Sequence, residues 1–165
     1  MEKEIQIKEE IRQWSTEVLE LPSQEFNGLP PCPYAKKAWR DNKVRLRVIE
    51  KIKDCDLIKE QCPDDDSVDV VAWVGYESMS TGEFDEWIDN QNKNHQGTWT
   101  IGFHPDHPVD ESLDEFEGNG APEYALILIQ SLGHLSKSSN RIFNKGYYDK
   151  YSKSDINHIN RRNII

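Results

Sequence analysis

The spacing of apolar residues along the first twenty positions predicts an amphipathic helix. Six of them recur mostly three or four residues apart, which keeps them on one face of a helix with 3.6 residues per turn. They are Ile5, Ile7, Ile11, Trp14, Val18 and Leu21. We expect this helix to run from Glu2 to Leu21 and to end before Pro22, because proline does not continue a helix. A short second helix is predicted from Pro33 to about Arg40.

Three segments have the pattern of strands. Lys43–Glu50 and Thr98–His104 alternate polar and apolar residues in period two, which indicates half-buried strands. Residues 68–76 are mostly apolar and are predicted to form a central strand. Because successive side chains of a strand point to opposite faces, the last strand has an apolar face and a polar face that ends in His104. The apolar face holds Trp99, Ile101 and Phe103, and the polar face holds Thr98, Thr100, Gly102 and His104.

Further helices are predicted between and after these strands. Ser80 or Thr81 is expected to cap a helix that extends to about Gln91, with Glu83 completing a capping box. Pro122 suits the first turn of another helix, which would carry the apolar run 124–129, although that run also fits a strand. Residues 51–61 are compatible with a helix.

This order of elements predicts an α+β fold with a small three- to four-stranded sheet covered by helices on one face, a two-layer sandwich. We expect residues 1–151 to form a single domain and residues 152–165 to form a polar C-terminal tail, either a short helix or frayed. A chain of 165 residues is long enough for one core.

The net charge of −10 is unevenly distributed. Residues 60–123 contain 17 acidic residues and one basic residue, whereas residues 36–59 contain nine basic and four acidic residues. An acidic middle segment makes nucleic acid a poor partner, because phosphate backbones are bound by clustered Lys and Arg. The longest apolar run is far below the roughly 20 residues that span a membrane, so we expect no membrane partner. Three widely spaced cysteines and a charged start predict a reducing cytoplasm.

Cys32 is the first residue whose chemistry stands out. It precedes Pro33 at the predicted helix start, where unpaired backbone N–H groups and the helix dipole favour a thiolate. The spacing resembles the redox Cys-Pro-Tyr-Cys of glutaredoxins, but Ala35 occupies the position of the second cysteine. A buried structural cysteine is the alternative, since free cysteines are among the most buried residue types.

The segment around His104 is the second place where the residue types suggest chemistry. His104 and His107 are candidate ligands for a divalent metal such as zinc, or His104 is a base whose neighbour Asp106 orients an imidazole. Two histidines at this spacing form an incomplete metal site, and nothing in the sequence selects a third ligand. A loop stiffened by Pro105 and Pro108, with solvated histidines, is the alternative.

The polar strand face supplies candidate binding residues. If the strands pair with matching faces, Arg45, Arg47, Thr100 and His104 would share an open, positively charged platform. We therefore regard Arg45, Arg47 and Thr100 as candidate residues for binding a small anionic molecule.

Several short motifs together resemble a known family. They are Trp14, Gly28–Ala35, Phe103–His107, Pro122–Ala125 and Ser136–Arg141. The family is an uncharacterised bacterial domain of unknown function with Cys-Pro-Phe-Ala and Phe-His-Pro-Asp motifs, and the resemblance covers most of residues 10–141. It implies that Cys32 and His104 act together, and it supplies no reaction. The family's Asn-Arg-Ser-Pro-Tyr-Pro stretch survives here only as fragments in Asn119–Tyr124, so its arginine is missing.

These features lead to one hypothesis and two alternatives. The hypothesis is a small soluble enzyme that acts on a small anionic substrate through a Cys32/His104 site, with Cys32 as nucleophile or metal ligand and His104 as base or ligand. The first alternative is a non-catalytic protein whose acidic middle segment binds a basic partner. The second is a metal-binding domain. Whether the protein is an enzyme, its cofactor and its oligomeric state stay open.

Overall fold

A four-stranded mixed sheet forms the centre of the protein. The computed structural model describes residues 1–53, 66–95, 97–105 and 123–161. The strands are β1 (Val44–Ile49), β2 (Val68–Trp73), β3 (Thr98–Phe103) and β4 (Ala125–Ser131), in the order β1-β2-β4-β3. β1 is parallel to β2, and the other two pairs are antiparallel.

Five α-helices accompany the sheet in the described ranges. They are α1 (Glu2–Trp14), α2 (Ala35–Arg40), α3 (Thr81–Asn94), α4 (Leu132–Phe143) and α5 (Lys153–Arg161). α1 continues directly into a π-helical turn, Ser15–Leu19, so the predicted first helix is right to within two residues. The predicted capping box of α3 is confirmed, because the Ser80 hydroxyl accepts from the Glu83 N–H while the Glu83 carboxylate accepts from the Ser80 N–H.

The core consists of two apolar clusters on opposite faces of the sheet. Alternate residues of β2 take part in different clusters, as period-two geometry requires. Val71 and Trp73 pack with Phe84 of α3, whereas Val70 and Ala72 pack with Ile11 of α1 and its neighbours. We refer to these two sides as the α3 face and the α1 face.

The predicted α+β class and the four-stranded sheet are confirmed, and the layering differs in one respect. Helices lie on both faces, because α3 packs on β3 while α1 covers the opposite side. The reason is that β2 and β4 are apolar on both faces, and neither face of such strands is stable in water.

The segment 125–131 is a strand, and our prediction of a helix from Pro122 is wrong there. β4 lies between β2 and β3 and is buried on both sides, so its apolar residues show no period-two pattern. The helix begins only at Leu132, where the Ser131 hydroxyl accepts a hydrogen bond from the His134 N–H. The alternative of a strand is therefore the correct one.

The remaining expectations are partly outside the described residues. The possible helix over 51–61 extends beyond residue 53, the last one described before the gap. The C-terminal segment is helical as α5, and the division into a 1–151 domain and a 152–165 tail stays a prediction. None of the helices in the described ranges has the length and apolar character needed to cross a membrane.

Candidate functional site

Cys32 lies on the α1 face of the protein. Its backbone N–H donates to the Leu19 carbonyl at the end of the π-helical turn, and its own carbonyl accepts from the Ala35 N–H at the start of α2. Tyr147 lies next to it and donates a hydrogen bond from its hydroxyl to the Pro31 carbonyl. Cys32 is therefore part of the packing between the 22–34 loop and the C-terminal aromatic segment.

The Cys32 thiol is not poised as a thiolate. Burial raises its pKa above the ordinary value for cysteine, and the nearby Glu20 carboxylate raises it further. The N–H groups of Tyr34 and Ala35 lower the pKa, as we expected of a helix start, but the effect of burial is larger. The predicted N–H contribution is present, the raised pKa favours the neutral thiol, and a catalytic role of Cys32 stays a prediction.

His104 lies on the α3 face, directly after β3. Its side chain is 2% exposed. Nε2 lies 3.3 Å from the Met79 carbonyl oxygen, which requires Nε2 to donate, and Nδ1 lies 3.4 Å from the Thr81 hydroxyl. The ring packs edge-on against Tyr76 and is tilted against Phe84. Both ring nitrogens thus have partners in the protein, as in a histidine that joins core segments.

The structure does not bring Cys32 and His104 together. Cys32 contacts the loop and turn beside α1, whereas His104 packs with Tyr76 and Phe84 of the α3-face cluster. The sheet separates the two faces, so the joint site that the family resemblance implies is not formed by these side chains. The reason is that Cys32 precedes α2 and His104 follows the polar face of β3, and these elements pack on opposite sides.

The proposed metal ligands do not form a site among the described residues. No group of three or more His, Cys, Asp or Glu side chains in the described ranges is placed to hold a metal ion. His107 and Asp106 lie outside the described residues. Among the described residues, the ring nitrogens of His104 contact a backbone carbonyl and a hydroxyl, which are partners of a hydrogen-bonded imidazole.

The polar residues of the sheet do share a face, but they are far apart on it. Arg45 pairs with Asp69, Asp69 with Ile129 and Ile129 with Thr100, so Arg45 and Thr100 are three strands apart in one row. At about 4.8 Å per strand their backbones are about 14 Å apart.

α3 also covers the β3 end of this face. A Cβ added at Gly102 would meet Phe84 and Ile88 at 2.6 and 2.7 Å, so this face is closed there. Thr100 is buried, and its backbone N–H and C=O both bond to the Asn92 side chain of α3 at 2.7 Å. We therefore exclude Thr100 and His104 from the candidate binding site.

The arginines of β1 are held by a carboxylate that our sequence analysis missed. Asp69 of β2 is 1% exposed, and its Oδ1 accepts from Nε of Arg45 at 2.6 Å. Its Oδ2 lies 3.5 Å from a terminal nitrogen of Arg47. An acidic residue inside an apolar central strand was the available signal, because a buried carboxylate is stable only when it is paired.

We call Arg45, Arg47 and Asp69 the arginine cluster. The side chains of Arg45 and Arg47 are 42% and 27% exposed, so they extend from the buried carboxylate to the surface. Asp69 thus supplies one negative charge to two guanidinium groups. Nε of Arg47 is buried and has no hydrogen-bond acceptor among the described residues. The cluster thus has a donor and a charge in excess of what Asp69 satisfies.

Comparisons of this chain with protein-family models, with curated proteins and with solved structures find no match. The resemblance to the bacterial family of unknown function therefore stays a prediction. The candidate site rests on the geometry of the arginine cluster.

Proposed function

We propose that this protein binds a small anionic ligand, with a carboxylate or phosphate group, at the arginine cluster. The observation that carries the proposal is the buried Nε–H of Arg47, which has no acceptor in the described part of the chain. Leaving a buried donor unsatisfied costs about 1–3 kcal/mol. An oxygen atom of an anionic ligand would satisfy it.

The surroundings of the cluster support this assignment. Asp69 holds Arg45 by a short hydrogen bond, so that guanidinium group is oriented before any ligand arrives. Guanidinium groups match the geometry of carboxylate and phosphate oxygens, and partial burial strengthens their interaction with an anion relative to open water. Asp69 also limits the affinity, because a ligand competes with it for the same arginines.

The chemistry suggested by Cys32 and His104 does not enter the proposal. The contacts of these two side chains favour structural roles, and among the described residues their partners differ from those of the arginine cluster. The proposed function is therefore binding in a reducing cytoplasm, without an assigned chemical step.

A titration with inorganic phosphate and with acetate tests the proposal. Backbone amide shifts in NMR spectra give the dissociation constants, with chloride held constant because salt screens the interaction. Arg47→Gln removes the positive charge and the guanidinium group, and we expect it to weaken binding at least tenfold.

Arg40→Gln is the matched control. Arg40 is 71% exposed on α2, where it pairs with Asp41, so its replacement should leave the dissociation constants within twofold. Equal binding by wild type and Arg47→Gln would overturn the proposal. So would an equal loss in Arg40→Gln, which would indicate a general effect of surface charge.

A further inference from the structure

The backbone of β1 directs half of its hydrogen-bonding groups to the outside of the sheet. The carbonyl oxygens of Lys43 and Ile49 accept hydrogen bonds from the N–H groups of Val68 and Val74, at 2.8 and 2.9 Å. Successive residues of a strand direct their backbone groups to opposite sides. The odd-numbered residues of β1 therefore face β2. The N–H and C=O groups that face outward belong to Val44, Leu46 and Val48.

This outer edge is not covered by any strand in the described part of the chain. β1 is the last strand of the sheet order, and no hydrogen bond joins the outward backbone groups to another described residue. The side chains of Val44, Leu46 and Val48 are only half-buried, whereas most of β2 is fully buried. An open strand edge with adjacent apolar side chains is a template for pairing with another extended segment.

At the opposite edge of the sheet, the chain itself bonds several of the outward backbone groups. On β3 the outward N–H of Thr98 donates to the His95 carbonyl, and the outward groups of Thr100 are both bonded by Asn92. The side-chain amide of Asn92 thus occupies the position of a neighbouring strand. Edge strands are usually protected in some such way, whereas β1 has no such bond within the described residues.

The side chains of β1 specify the kind of segment that would fit. Arg45 and Arg47 point to the α3 face, and the three apolar residues point to the α1 face. β1 contains no acidic residue; among the described residues, Asp66 pairs with Lys43, and Asp69 pairs with Arg45 and Arg47. A second copy paired through the same edge would place arginines near arginines, which is unfavourable. An acidic segment has the complementary charge.

We propose that the outer edge of β1 binds an extended peptide segment in which acidic and apolar residues alternate, as a fifth strand of the sheet. Main-chain hydrogen bonds to Val44, Leu46 and Val48 supply the affinity. Cross-strand pairs supply the specificity, with the acidic side chains beside Arg45 and Arg47 and the apolar side chains over the α1 face. The acidic part of this recognition rests on the proposed function, because it uses the same arginines. The backbone part does not.

A synthetic peptide provides the probe. We choose Thr-Val-Glu-Val-Glu-Val-Thr with blocked ends and a fluorescent label, and we measure its dissociation constant by fluorescence anisotropy with the full-length protein. Two control peptides have Lys in place of Glu, or the same composition with the Val and Glu residues in separate blocks. We expect both controls to bind at least tenfold more weakly, because one reverses the charge and the other loses the alternation.

N-methylation of the peptide tests strand pairing without changing the protein. In an added strand only every second N–H of the peptide faces β1, and the rest face away. Methylating all Val nitrogens or all Glu nitrogens should therefore abolish binding in one peptide and leave it within threefold in the other. If both methylated peptides lose binding, or if neither does, the proposal that the peptide adds a strand to the sheet is overturned.

A protein variant tests the same hydrogen bonds by changing β1 instead of the peptide. Val44→Pro removes an outward N–H at the first residue of β1, where proline does not interrupt the pairing with β2. Val44→Thr keeps that N–H and is its matched control. We expect Val44→Pro to weaken peptide binding at least fivefold relative to Val44→Thr, while both variants bind phosphate as the wild type does.

These measurements separate the inference from the proposed function. If Val44→Pro binds the peptide as Val44→Thr does, while Arg47→Gln loses both peptide and phosphate, the peptide binds only as an anion and the added strand is overturned. If phosphate binding is absent but the N-methylation pattern holds, the edge binds peptides and the proposed function fails alone. A peptide-independent dimer in sedimentation experiments, blocked by Val44→Pro, would assign the edge to a second copy and overturn the inference.

Discussion

The two edges of the sheet differ in how their backbone groups are satisfied. At β3 the preceding helix supplies Asn92, whose amide bonds both backbone groups of Thr100. At β1 the outward groups of three residues have no partner in the described chain, and the two arginines of this strand are bonded to Asp69. The chain itself therefore bonds outward groups at β3, whereas within the described residues those of β1 have no partner and lie on a strand with two arginines.

This difference follows from the local order of elements. α3 directly precedes β3 and packs on it, so a side chain near its C-terminal end reaches the backbone of the strand that follows. α2 precedes β1 but has only six residues, and its Trp39 is directed to Ser15 beside α1. A short helix that packs elsewhere has no side chain over the strand edge. In this protein, the bonding of an edge strand's outward groups therefore depends on the helix that directly precedes that strand.

The largest expected effect comes from replacing Asp69, which bonds both arginines of β1. Asp69→Asn leaves two guanidinium groups beside a neutral amide, and removal of one partner of a buried ion pair costs about 3–5 kcal/mol. Because both arginines are partly exposed, we expect about 3 kcal/mol, measured by urea denaturation.

Asp41→Asn is the control for this loss. Asp41 is at the surface, where hydrogen bonds from Lys37 and Arg40 lower its pKa to about 2. Its pairs are exposed to solvent, and the urea midpoint of this variant should hardly change. An equally small change in the urea midpoint of Asp69→Asn would show that Asp69 does not stabilise the protein through Arg45 and Arg47.

The next largest effect is expected at the closed edge. Asn92→Ala removes both hydrogen bonds to Thr100 and exposes its backbone groups, which should cost about 2 kcal/mol in the free energy of unfolding. Asn90→Ala, on the exposed side of the same helix, controls for helix propensity. If the two variants have equal urea midpoints, Asn92 does not protect the edge.

A smaller effect is expected at His104, at the far corner of the α3 face. His104→Leu removes the bonds to Met79 and Thr81 and should lower stability by about 1–2 kcal/mol. Because His104 follows β3, which is three strands away from β1 in the sheet order, phosphate binding should stay within twofold of wild type. A tenfold loss of phosphate binding in His104→Leu would show that the binding site reaches across the α3 face to His104. The arginine end and the His104 end of this face would then not differ in function.

The smallest effect concerns Cys32, on the opposite face of the sheet. In a Cys55→Ser, Cys62→Ser background, we expect its thiol to react more slowly with a disulfide reagent at neutral pH than the thiol of a short peptide. Burial favours the neutral thiol, so the rate should still rise with pH where the peptide's rate has levelled off. A rate that levels off below the ordinary thiol pKa would instead indicate an activated thiolate, and would make Cys32 a candidate nucleophile again.

Local patterns predicted most elements of the fold. The alternation of β1 and β3, the apolar stripe of α1 and the capping box at Ser80 are all present. β4 was harder to predict, because a strand buried on both faces has an apolar run without a period. For the site, the positions of Arg45 and Arg47 on one face followed from period two. Their partner Asp69 was overlooked, although an aspartate between valines in a central strand implies a cation opposite.

By itself, the sequence determined the α+β class, the faces on which side chains lie and the basic character of β1. These properties depend on residues a few positions apart, which local periodicity records. The packing of the elements placed Cys32 and His104 on opposite faces, joined Asp69 to both arginines, and bonded outward groups of β3 but, among the described residues, none of β1. These relations join residues distant along the chain, so they depend on strand order and helix packing.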